Sequence, residues 1–212
     1  QKWNIVLKGA KVVVQGFGNV GSYAAKFLDE YGCQIIGVSD ISGGLYSPDG
    51  FDVDELFDYN YEHRTIEGYQ HGKKITNEEL LALECDFLIP AALGSAINED
   101  NVDSLNCKII IEAANGPVTG EAADKLWKKK IAIIPDILTN AGGVTVSYFE
   151  WVQNLQQFKW PEDEINQKLE QKMVAAFNEV YSVKQNKNVP MRIASFMVAI
   201  DRVSTAYNLR EG

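Results

Sequence analysis

Between a run of valines and a helix-like stretch the chain places Gly16-Phe17-Gly18-Asn19-Val20-Gly21, and a second apolar run ends in a carboxylate, Asp40. The spacing is G-x-G-x-x-G with an acid about 20 residues beyond it. Glycine loses more backbone freedom on folding than any other residue, so three within six positions call for a chemical reason. A loop of this kind leaves the amide end of a helix, with its positive dipole, open to a diphosphate. Gly16 would permit the tight turn from strand to helix, Gly18 the approach of the backbone to a pyrophosphate, and Gly21 close packing of helix on strand. Asp40 would accept hydrogen bonds from ribose hydroxyls and repel a 2′-phosphate. Two plainer alternatives stand beside these: a structural glycine turn without ligand, and a strand-end acid that caps a turn. The glycine spacing alone is weak, and the preceding strand, the following helix and the placement of Asp40 give it weight.

Three other stretches carry residues suited to a flat ring and its substituents. They are "PAAL" (90–93), "EAANGPVTG" (112–120) and "PDILTNAGGVTVSYFEW" (135–151). Ligands of open α/β sheets bind beyond the carboxyl ends of the strands, where all three are expected to lie. Small residues such as Ala91 and Ala92 let a ring approach, and Asn115 and Asn140 can grip a carboxamide. The alternative for the asparagines and glycines is helix capping and tight turns.

The elements that would position these residues follow from the apolar pattern. Five continuous runs, Val12–Val14, Ile35–Val38, Phe87–Ile89, Ile109–Ile111 and Ile131–Ile134, suit strands buried on both faces of a parallel sheet. Val20, Ala24, Phe27 and Leu28 have helical spacing after the glycine loop. Thr76–Glu84 opens with capping residues and acids. Thr119–Lys130 has acids early and lysines late, which complements a helix dipole. The segment Gly43–Gly50 reads as turn chemistry. Residues 144–159 look helical. Pro161 opens a further helix with the stripe Ile165, Leu169, Met173, Phe177 and Val180. A last helix after Pro190 carries Ile193, Phe196, Met197, Ile200 and Val203. The alternation predicts an α/β fold: a Rossmann-type, doubly wound, mostly parallel sheet followed by C-terminal helices. Residues 1–212 are expected to form one dinucleotide-binding domain, with 144–212 as its helical part.

The 212 residues carry 29 acids against 20 bases, a net charge of −9. Such a surface repels phosphate backbones, which argues against nucleic acid as a partner. No apolar run reaches the length of a membrane helix, so no membrane partner is expected. Cys33, Cys85 and Cys107 sit in or beside apolar runs without a CxxC pair and read as buried thiols of a cytoplasmic protein. His63 and His71 read as solvated residues in a polar, turn-rich stretch, and no metal site is expected. The chain starts at Gln1 rather than Met, as a processed or excised segment would.

Taken together, "KGAKVVVQGFGNVG", "EAANGPVT", "NAGGVTVSYFEWVQN" and "NVPMRIASFMVAIDRV" resemble the C-terminal, nucleotide-binding half of the hexameric glutamate dehydrogenases. The resemblance covers nearly all of residues 1–212. It implies a Rossmann-type domain with one strand reversed, Asn19 in contact with the cofactor, and Asn115 and Asn140 near the nicotinamide. It implies that Val144 and Ser147 line the substrate pocket, with the Ser147 hydroxyl on the side-chain carboxylate of glutamate. Related leucine and phenylalanine dehydrogenases have an apolar residue there, and a hydroxyl matched to a buried carboxylate discriminates strongly. The implied reaction is hydride transfer from the α-carbon of L-glutamate to the nicotinamide, then hydrolysis of the imine to 2-oxoglutarate and ammonia. NAD is expected as cofactor, since no arginine lies near Asp40 in sequence. NADP stays open, because family members with an acid at this position do not all refuse it. In this family the catalytic lysine, its aspartate partner and the lysines that hold the α-carboxylate sit in an N-terminal domain. No catalytic residue is therefore assigned here, and the segment alone is expected to bind NAD without turnover. The complete enzyme is expected to be a homo-oligomer. Two alternatives remain: a truncated, non-catalytic relative that binds a dinucleotide as a regulator or subunit partner, and a dehydrogenase for another amino acid. The last helix is expected to expose an apolar face that could drive association.

Overall fold

A computed structural model describes Trp3 and residues 5–211. The domain limits expected at Gln1 and Gly212 lie outside the described residues. The five apolar runs form β1 (Lys11–Gln15), β2 (Gln34–Asp40), β5 (Cys85–Pro90), β6 (Cys107–Ile111) and β7 (Ala132–Ile134). Two strands were not expected, β3 (Gly43–Tyr46) and β4 (Lys73–Ile75). The sheet order is β4-β3-β2-β1-β5-β6-β7. β1 pairs in parallel with β2 and β5, and β5 with β6, while β3 runs antiparallel to both β2 and β4. Val12, Val13, Val14, Val38 and Ile110 are fully enclosed, as strands covered on both faces require.

The stretch Gly43–Gly50 is thus half strand rather than all turn. Its glycines fit the reversed pairing: Gly43 has φ +132, and a Cβ on Gly44 would sit 3.0 Å from Ile75. The polar segment before His63 is also a helix, α2 (Val53–His63), capped by Asp52, which accepts from the Glu55 amide at 3.0 Å. His63 ends this helix and is exposed, as is His71.

Between β1 and β2 lies α1 (Asn19–Glu30). The spacing of Val20, Ala24, Phe27 and Leu28 suggests its inner face, yet Gly21, Ser22 and Ala25 are buried, and Val20 and Phe27 are about half exposed. Small residues face inward because they let the helix lie close to β1. α3 (Asn77–Leu81) starts from a capping box of Thr76 and Glu79, and α4 (Gly120–Lys128) is capped by Thr119.

The chain divides into two compact units, the first ending at Ala132 and the second starting at Ile133. The second unit contains α5 (Asp136–Thr139), α6 (Ala141–Gln156), α7 (Glu162–Lys187) and α8 (Met191–Glu211). Pro161 precedes α7, as expected, and three acids follow it. In α8 the sequence stripe is the outer face: Ile200 is 66% and Val203 70% exposed, while Met191, Ala194, Ser195 and Val198 are buried. An Arg192–Asp136 ion pair at 3.1 Å ties α8 to α5.

Candidate functional site

The chain steps from β1 to β2 on one side of β1 and returns as β5 on the other. This reversal makes the carboxyl ends of β1 and β5 the place where an open α/β sheet forms a crevice. Four segments of the first unit leave strands at that edge: the glycine loop, Asp40, residues 90–93 and residues 112–116.

In the glycine loop each glycine meets a different constraint. Gly16 has φ +93, and a Cβ there would lie 2.8 Å from the backbone of Ala92, so the loop touches the end of β5. A Cβ on Gly21 would fall 1.8 Å from the Gly16 carbonyl oxygen and 3.1 Å from Val14, so helix and loop pack backbone to backbone. Gly18 differs from both. Its φ is −81, and a Cβ would meet no protein atom within 4 Å. Gly18 is also the N-cap of α1, with no side-chain cap and no acid in the first turn. The helix start is open and free of internal anions, which is the chemistry a diphosphate needs. Phe17 is 1% exposed, so its ring belongs to the core and only its backbone can serve a ligand, while Asn19 and Val20 are exposed.

Asp40 is already engaged. One carboxylate oxygen accepts from the amide and hydroxyl of Ser42, the other from the Thr65 hydroxyl at 2.7 Å and the Ile66 amide at 2.8 Å. A carboxylate offers about four lone-pair positions, and these four donors fill them. Burial pushes its pKa up, but the four hydrogen bonds outweigh burial and hold the carboxyl below its ordinary value. Asp40 thus caps the β2–β3 turn and anchors residues 65–66, the plainer role weighed from the sequence. A ribose hydroxyl would have to replace one of these donors.

The loops after β5 and β6 are laced together. The amides of Ala113 and Ala114 donate to Pro90, Ser95 donates to Gly116, Ile97 to Pro117 and Thr119 to Ile97. This lacing sets Ala91 and Ala92 beside the glycine loop on one side and the Asn115 segment on the other. Ala92 and Asn115 are exposed. The other three residues lie in the second unit. Asn140 stands between α5 and α6, exposed, and its amide donates to the Asp136 carbonyl at 2.8 Å. Val144 and Ser147 are one turn apart on α6, both exposed. The first unit therefore brings ten of the thirteen expected residues to one sheet edge (Gly16 to Gly21, Asp40, Ala91, Ala92 and Asn115), and Asn140, Val144 and Ser147 form a second group at the start of α6.

Sequence reasoning did not single out Gln15, Ser39 and Asn77, a polar group under the glycine loop in which Gln15 and Ser39 are buried and Asn77 half-buried. Gln15 and Ser39 are apposed in the β1–β2 register, and both donate to Asn77 at 3.3 Å. Asn77 read in sequence only as a capping residue. Among the described residues no cluster of His, Cys, Asp and Glu could hold a metal, and no helix is long and apolar enough to cross a membrane.

A doubly wound, mostly parallel sheet with an open glycine loop at its reversal point defines a protein of the open α/β class. The sequence model of "Glutamate/Leucine/Phenylalanine/Valine dehydrogenase" matches residues 1–211, and the chain belongs to that family. It is 52% identical over 204 residues to a glutamate dehydrogenase of Thermotoga maritima, covering 96% of this chain and 49% of that protein. It is 48% identical over 210 residues to the cryptic catabolic NAD-specific glutamate dehydrogenase GudB of Bacillus subtilis, covering 99% and 49%. A hetero-hexameric glutamate dehydrogenase from Thermus thermophilus, in its Leu-bound form, superposes with a TM-score of 0.92 at 29% identity, covering 99% of this chain and 49% of that one. The chain thus spans about half the length of the relatives it matches.

Proposed function

We propose that this chain is the dinucleotide-binding half of an NAD-dependent glutamate dehydrogenase, acting within a larger homo-oligomeric, hexameric and cytoplasmic enzyme that converts L-glutamate to 2-oxoglutarate and ammonia. The observation that carries the reading is Gly18: an uncapped helix start where a side chain would meet no protein atom, in a chain about half identical to glutamate dehydrogenases. The bound cofactor would supply the hydride acceptor. The chain's own residues bind and orient. The loop amides hold the pyrophosphate, and Gly16 and Gly21 keep the loop against Ala92 and Val14. Asp40 takes the ribose in exchange for one of its present donors. Ala91, Ala92 and Asn115 border the nicotinamide. Val144 packs on the substrate, and Ser147 donates to its side-chain carboxylate. Proton transfer belongs to residues outside this chain.

Titration of the chain with NAD and NADP tests the reading. Saturable NAD binding with no glutamate-dependent NADH formation supports it. Failure to bind either dinucleotide overturns it, and glutamate oxidation by this chain alone would refute the division of labour. In the complete enzyme, Ser147→Ala should reduce glutamate use sharply, and an unchanged rate would remove the carboxylate role.

A further inference from the structure

We propose that Asn77 is a positioning residue that sets the distance between the phosphate loop and the ribose end of the dinucleotide site. The inference rests on the dinucleotide reading above. Gln15 and Ser39 are register partners on β1 and β2, each the residue just before a site element: Gly16 on one strand, Asp40 on the other. The Asn77 Oδ1 accepts from Gln15 Nε2 and from Ser39 Oγ, both at 3.3 Å. The Gly16 amide donates to the Ser39 carbonyl at 2.9 Å and to Ser39 Oγ at 3.3 Å. A chain of hydrogen bonds therefore runs from the first amide of the glycine loop through Ser39 to Asn77 and back to Gln15. Gln15 is 4% and Ser39 1% exposed, so both donors are shielded from water, while their acceptor Asn77 is half-buried.

Two features argue that this group serves the site rather than the core. The Gln15 Oε1 is buried without a partner, a cost that an apolar residue at this position would avoid. Asn77 also arrives from a separate element. Thr76 and Glu79 cap α3 reciprocally, which fixes its first turn and so aims the Asn77 side chain at both strand ends. Without Asn77, β1 and β2 would still pair, but the loop and Asp40 would lose the cross-brace that ties both to a third element.

The test compares ligands that span the brace with one that does not. ADP and NAD engage both the loop and the ribose end, and adenosine engages only the latter. Binding of each is measured by calorimetry to the 212-residue chain, to Asn77→Ala and to Ser39→Ala, which removes the hydroxyl link but keeps the backbone bond. Asn77→Ala should weaken ADP and NAD about tenfold, consistent with leaving two buried donors unpaired, and adenosine less than about twofold. Ser39→Ala should show the same pattern at about threefold, and it carries the test if Asn77→Ala does not fold. Unchanged ADP binding in both variants overturns the inference, as does parallel weakening of ADP and adenosine, which a general loosening of the fold would give. If the unaltered chain binds neither ADP nor NAD, the dinucleotide reading falls and this inference with it.

Discussion

Alanine at Gly18 and at Gly21 should separate ligand binding from folding. At Gly21 the new methyl would sit 1.8 Å from the Gly16 carbonyl oxygen, and neither atom belongs to a flexible side chain. Relief requires α1 to move off the loop, and overpacking of this kind costs about 3 kcal/mol. For a chain of this size that lowers the melting temperature by about 6–12 °C. At Gly18 the methyl meets nothing of the protein and φ is −81, which any residue tolerates. Alanine there gains about 0.4–1 kcal/mol by restricting the unfolded chain and loses a similar amount as a poorer N-cap, so the melting temperature should stay within about 4 °C. The same methyl would stand where a pyrophosphate approaches the backbone, and NAD affinity should fall by more than about tenfold, or 1.4 kcal/mol. The assays are thermal unfolding followed by circular dichroism and calorimetric NAD titration. If Gly18→Ala binds NAD as the unaltered chain does, the open helix start is not the phosphate site. If it unfolds as early as Gly21→Ala, the space is structural and the reasoning fails.

Asp40→Asn should cost about 1–3 kcal/mol at neutral pH, because an amide cannot accept from all four present donors. The folded carboxyl titrates below its ordinary value, so its contribution is complete above about pH 4 and is lost as pH falls through the folded value. Melting curves of the two proteins should converge on acidification, and a constant gap down to pH 2 would contradict this. Burial pushes the Cys107 thiol up to about 12 and raises those of Cys33 and Cys85, so a disulfide reagent at pH 8 should label all three only after denaturant is added. Rapid labelling of the native chain would refute it. Ile200→Lys with Val203→Glu on the outer face of α8 should leave the melting temperature within about 2 °C, since both sites are exposed. The pair should also reduce any concentration-dependent association in sedimentation, and unchanged association would place the contact elsewhere.

Of the fold, β1, β2, β5 and β6 were readable because parallel strands covered on both faces must be apolar throughout, as Val12–Val14 and Ile109–Ile111 are, and the half-buried edge strand β7 was readable from its apolar run. β3 and β4 were not. Gly43-Gly44 has the composition of a turn and Lys73-Lys74-Ile75 that of a solvated loop, and it is their mutual antiparallel pairing that makes them strands. Which face of α1 is covered was not legible for a related reason, whereas α8 exposes its apolar stripe as expected. Apolar spacing marks where a stripe lies on a helix, but the partner surface decides which stripe is covered, and here small residues allow the closer approach.

The glycine loop, by contrast, was legible in the sequence. A residue without Cβ is a local chemical fact, and three of them between a strand and a helix specify a tight turn into an uncapped helix start. What each glycine is for depended on atoms far away in the chain: Ala92 against Gly16, the loop's own carbonyl against Gly21, and no protein atom near Gly18. Asp40 shows the same division. Its type and spacing were visible at once, but Thr65 and Ile66, which share its carboxylate, come beside it only through the fold. Asn77 lies 62 residues from Gln15 and 38 from Ser39. Hydrogen bonds of such separation leave no periodicity in the chain, because their geometry exists only once the strands have paired and α3 has docked.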